Sequence, residues 1–126
     1  MVATTLDDLR VFQQGVAAHA EISALVTISA LGKERDLSRQ ILRAAASIPA
    51  QVAEGFGQKS DRHFAHFLFM ARGSCNEVRA HLLAARDRHL ISPSEHDRIS
   101  AMYVSEGKML TRLIQHLVSS DRKLRA

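Results

Sequence analysis

Apolar side chains return every third or fourth position along four stretches of this chain, and short runs rich in glycine or charge separate the stretches. That spacing follows the turn of an α-helix and conflicts with the two-residue alternation of a half-buried strand. Two prolines and six glycines in 126 residues leave few breakers, and Ala, Leu, Arg and Ile recur throughout, residues that favour helix. The expectation is an all-α fold: an up-down-up-down antiparallel four-helix bundle with helices over about 6–30, 36–55, 61–89 and 93–119. A hydrophobic content of 46% suits one buried core, so residues 1–126 are expected to form a single domain.

The first helix places Leu9, Phe12, Val16, Ile22, Leu25 and Val26 at helical spacing, with Asp7 and Asp8 at its positive end. Gly32 and the charged run Lys33 to Asp36 form a connection. Leu37, Ile41, Ala44, Ala45, Ile48 and Val52 make the inner face of the second helix. Pro49 removes a backbone donor there and crowds the Ala45 carbonyl, which predicts a bend or a helix restarting at Pro49. Gly55 and Gly57 read as its C-terminal stop. Ser60 or Asp61 caps the third helix, whose inner face carries Phe64, Phe67, Leu68, Ala71, Cys75, Val78, Leu82 and Ala85. Ser92, Pro93 and Glu95 open the fourth helix as a capping box with proline at the first helical position. Ile99, Met102, Tyr103, Leu110, Leu113 and Leu117 line its core stripe, widened by Met109, Ile114 and Val118, and the basic tail from Asp121 to Ala126 reads as a fraying end.

No apolar run reaches the roughly 18 residues that span a bilayer, and Met1 to Asp8 lack the regions of a signal peptide. The expected location is the cytoplasm, with no membrane partner. Cys75 sits in a periodic apolar segment and reads as core. His63 and His66 offer two corners of a zinc site without the ligands to complete it, and neither Glu54 nor Glu77 begins the Glu-x-x-His pair of a di-iron bundle. His81 and His116 read as hydrogen-bonded structural histidines. Glu54 and Glu77 lie near an apolar stripe, either as an acid and base or as partners of facing serines, Arg43 and Arg79. No nucleophile, phosphate loop or activated histidine accompanies them, so no catalytic residue, metal or cofactor is expected.

The arginines form rows. Arg35, Arg39 and Arg43 repeat at four-residue spacing, Arg72, Arg79 and Arg86 at seven, and Lys108 and Arg112 follow on the fourth helix. With a formal charge of +4 and a pI near 9.8, such rows suit the phosphates of RNA or DNA. They equally suit ion pairs with Asp36, Glu77 or Asp87, or with a neighbouring subunit. Phe69, Met70 and Leu83 fall off the inner stripe of the third helix and read as a subunit interface.

The run LSRQILRAAASIPAQVAEGFGQKSDRHFAHFLFMARGSCNEVRAHL over 37–82 resembles the four-helix-bundle family first noticed as reading frames inside bacterial 23S rRNA intervening sequences. Arg43 to Ala50, Ala53-Glu54-Gly55, Phe67-Leu68, Ala71 to Ser74 and Glu77 carry the likeness. Gln51 stands where that family usually has Asn, His63 where it has Glu, and a Phe-Pro before the second helix is missing. The resemblance implies a ring-shaped homopentamer with no established enzymatic activity. A related branch, the accessory protein of diversity-generating retroelements, implies nucleic acid or a reverse-transcriptase-like protein as partners.

Overall fold

The computed structural model describes the backbone of residues 5–125 and the side chains of residues 5–120. Helices α1 (Arg10–Ile28), α2 (Arg35–Phe56), α3 (Asp61–Asp87) and α4 (Pro93–Arg125) carry the fold, with 3-10 turns at Leu6–Asp8 and Ala30–Lys33. Helix α2 packs between α1 and α3, α3 packs against α4, and α1 closes the bundle against α4. Among the described residues there is no strand, and no helix is long and apolar enough to cross a membrane.

The first helical stretch is shorter than its periodicity suggests. Leu9 and Ser29 are both extended and bound α1. The Ser29 hydroxyl donates to the Leu25 carbonyl at 2.6 Å and accepts the Leu31 N–H at 3.3 Å, which turns the chain out of the helix. Ser38, buried at the start of α2, donates to the Leu31 carbonyl at 2.6 Å and pins that turn to the next helix. The inner face of α1 is Val11, Gly15, Ala18, Ile22 and Leu25. Val16, expected inside, is exposed at 45%, because its neighbour Gly15 takes the inward position, packed against α2 and α4. A Cβ on Gly15 would lie 3.1 Å from the Glu106 carboxyl and 3.4 Å from Ile48.

Helix α2 runs unbroken through Pro49, so the helix does not restart there. A proline inside a helix costs roughly 3 kcal/mol. Ile48 and Val52, both fully buried on either side of it, offset that at roughly 1.5–3 kcal/mol for each buried side chain. Gly57 ends α2 in an ordinary right-handed conformation, with φ −78. Gly55 is not part of the stop. It is buried inside the last turn, where an added Cβ would lie 2.8 Å from Phe67 Cβ and 2.9 Å from Phe64 Cδ1. Phe64 and Phe67 are half-buried against this seam rather than fully interior, and Phe64 meets Phe56 edge to face at 6.0 Å.

Local signals set the remaining ends. Ser60 caps α3 by accepting the His63 N–H at 3.2 Å. At the other end Leu90 N–H donates to the Ala85 carbonyl at 2.9 Å and His89 N–H to Arg86 at 3.0 Å, the crossed pair of a Schellman motif. The position that normally takes glycine is His89, with φ 59. Helix α4 opens on the expected capping box: Ser92 N–H donates to Glu95 Oε1 at 2.8 Å, and Glu95 N–H donates to Ser92 Oγ at 3.1 Å. It continues to Arg125, past the expected end near 119, and the side chains of the 121–126 tail lie outside the described residues.

Two substitutions test these close contacts and strained ends. Gly55→Ala gains about 1 kcal/mol of helix propensity but forces α2 from α3, and urea denaturation should show a net loss of about 1–3 kcal/mol. His89→Gly relieves a left-handed residue and should raise stability by about 1 kcal/mol in the same measurement.

Candidate nucleic-acid interface

The fold sorts the arginine rows into different environments. Arg43 on α2 reaches Glu77 on α3 at 2.9 Å, and Glu77 also meets His81 at 3.3 Å. Beside that pair Ser47 and Ser74 bridge the same two helices, Oγ to Oγ, at 2.8 Å. Glu77 is thus an interhelical ion-pair partner, while Glu54 is exposed. Arg86 pairs with its neighbour Asp87 at 3.2 Å. Two pairs not anticipated from the sequence link Arg88 at the end of α3 with Glu34 at the start of α2, and Arg98 of α4 with Glu21 of α1. Such surface pairs contribute at most about 1 kcal/mol each. Arg35 and Arg39 stand exposed on the outer side of α2.

The remaining cations converge. Arg72 and Arg79 of α3 and Lys108 and Arg112 of α4 line one groove of about 430 Å³. No carboxylate lines it, and none of the four forms an ion pair among the described residues. Asn76 and Thr111 add neutral polar groups to the walls, and Tyr103 closes the floor. Arg72 is held on two sides: it donates to Thr111 Oγ1 at 3.2 Å, and its guanidinium lies 4.9 Å over the Phe69 ring. Thr111 is itself anchored to the Gly107 carbonyl at 2.9 Å. Four unpaired positive charges in one groove raise the local anion concentration and favour phosphate.

Phe69, Met70 and Leu83 are exposed at 46%, 44% and 43%. They do not share one strip. Asn76 and Leu83 follow Phe69 at seven-residue steps, which drift only about 20° each, so these three flank the groove arginines. Met70 stands about 100° further round the helix, towards the α2 side. Val16 at 45% and Ile28 at 74% add exposed apolar area on α1.

Below the groove the core holds an unexpected polar cluster. Glu106 is fully buried at the level of Gly15, and neither carboxyl oxygen has a hydrogen-bond partner. The Tyr103 hydroxyl, one turn earlier on α4, is equally buried and unpartnered. Burial pushes the Glu106 carboxyl up to about 8 from its ordinary 4.5. Burial, then the nearby charge of Glu106, pushes the Cys75 thiol up to about 12. Burial, followed by Cys75 and Glu106, also raises the Tyr103 phenol. Glu106 fits the spacing of Ile99, Tyr103 and Leu110, so its place in the core stripe was available from periodicity. Expecting only apolar residues there passed it over. His63 stays at the surface beside Ser60, with Nδ1 3.0 Å from its hydroxyl, His66 is exposed, and His116 is exposed rather than structural. Among the described residues no group of three or more His, Cys, Asp or Glu is placed to hold a metal ion.

The Glu106 carboxyl sets a pH dependence. Its folded value lies above its unfolded one, so its proton stabilises the fold fully below about 4.5, and that contribution is lost as pH rises to about 8. The loss is on the order of a few kcal/mol. Glu106→Gln should remove this slope, so that the variant gains on the wild type steadily from pH 5 to about 8 in urea denaturation, with no further gain above.

A comparison with curated proteins returns no match. Among solved structures, a crystal structure of a protein of unknown function from the S23 ribosomal protein family of Bacteroides thetaiotaomicron superposes with a TM-score of 0.75. It is 24% identical in sequence, over 82% of this chain and 97% of that one, a likeness that shows the shared bundle. The model of the family described as 23S rRNA-intervening sequence protein matches residues 7–112. The chain belongs to the 23S rRNA-intervening sequence protein family.

Proposed function

We propose that this protein is a non-catalytic, homo-oligomeric scaffold of the cytoplasm that engages RNA or DNA through the cationic groove between α3 and α4. One observation carries the reading: Arg72, Arg79, Lys108 and Arg112 face one groove with no carboxylate on its lining. Phosphate neutralisation by Lys and Arg releases counterions, which makes such a surface bind backbone without reading sequence. The buried acid cluster does not suit catalysis, because Glu106 and Tyr103 are enclosed at 0% exposure. Self-association draws on the exposed Phe69, Met70 and Leu83, and a pentamer is the assembly that family resemblance suggests. An interface over Phe69 and Leu83 sets the groove at the seam between copies. A reverse-transcriptase-like protein is the protein partner the same resemblance suggests.

A second reading rests on the pairs Arg43 with Glu77 and Arg86 with Asp87. In it the arginines hold the fold together, and the protein is a structural or protein-interaction module without nucleic-acid binding.

Anisotropy titrations of labelled RNA and DNA across about 50–200 mM salt separate the two. Backbone binding through four cations should give a log–log slope of about −3 on single strands, at about −0.7 per contact. No retention of either strand at low salt selects the second reading. Light scattering should show an oligomer at micromolar concentration, and a stable monomer there removes the scaffold.

A further inference from the structure

The groove is more specific than a patch of positive charge. Arg72 is the side chain whose direction is fixed, by the Thr111 hydroxyl at 3.2 Å on one side and the Phe69 ring 4.9 Å beneath it on the other. An arginine so held presents its guanidinium plane without losing further rotamer freedom when an anion arrives. Arg79, Lys108 and Arg112 surround it as unpaired charge. Tyr103, fully buried, closes the floor beneath them.

We propose that the groove seats a backbone phosphate of a bound strand, with Arg72 as its oriented partner and Arg79, Lys108 and Arg112 as flanking cations. This rests on the nucleic-acid reading above and adds the position and chemistry of the contact. A phosphate group alone underfills a groove of about 430 Å³, so the seat fits a strand that continues in both directions rather than free inorganic anion. The assignment also separates α3 and α4 from the exposed row of Arg35 and Arg39, which has no such floor or clamp.

The test uses the full chain with a short single-stranded RNA, and inorganic pyrophosphate in a parallel titration. Arg72→Lys keeps the charge and loses the planar clamp, so it should lower RNA affinity at constant salt slope. Arg79→Gln combined with Lys108→Gln should flatten the slope by about 1.4, about 0.7 for each charge removed. Arg62→Gln, an exposed charge near the start of α3, should behave as the wild type. Pyrophosphate should bind far more weakly than RNA, and equal affinity overturns the strand assignment. If the groove variants keep wild-type affinity and slope while Arg35→Gln with Arg39→Gln loses both, the seat is overturned and nucleic-acid binding survives. If the wild type binds no strand, both fall.

Discussion

Small side chains along the line where α2 meets α3 govern how the two helices sit. Gly55 leaves no room for a methyl group against Phe67, Ala44, Ala45 and Ala71 are buried, and Ser47 and Ser74 touch across the gap at 2.8 Å. Close approach brings the Arg43 and Glu77 side chains within 2.9 Å and turns the Arg72, Arg79 edge of α3 away from α2 towards α4. A larger residue at Gly55 forces α2 and α3 apart at this seam. The apolar strip beside the arginines has only α4 and solvent to face.

The interior also carries an apparent extravagance. A carboxyl and a phenol lie one turn apart on α4, fully buried and without partners, in a core built mainly of Ile, Leu, Val and Ala. Native proteins leave few buried polar groups unsatisfied, and those that persist have a physical reason. Tyr103 lines the groove floor, but its hydroxyl is enclosed in the core with no route to solvent. Glu106 is equally enclosed. Its neighbour across the bundle is Gly15, where a Cβ would come within 3.1 Å of the carboxyl, and its response is to hold its proton.

Much of the fold was legible from spacing alone because helix ends and inner faces are local properties. The capping box of Ser92 and Glu95, the Ser60 cap and the stripe Leu37, Ile41, Ala44, Ala45, Ile48 and Val52 all follow from residues within one or two turns. What failed was tertiary. Val16 has the right residue type and nearly the right phase, yet Gly15 takes the inside, where a Cβ would crowd the Glu106 carboxyl at 3.1 Å. Glu106 kept the period but not the polarity that a core position implies. The arginine rows look alike in sequence, and which are paired depends on acids brought near from another helix, as Glu77 is to Arg43. The groove was half visible: Arg72, Arg79, Lys108 and Arg112 could be named, but not their convergence, nor the tyrosine beneath them.

The burial of Cys75 has an experimental use. At 1% exposure, with its thiol raised to about 12, almost no reactive thiolate exists near neutral pH while the four helices are closed. As the chain contains one cysteine, its alkylation records excursions in which the bundle parts between α3 and its neighbours. The molecule therefore carries an internal gauge of its own breathing, readable without adding any label to its surface.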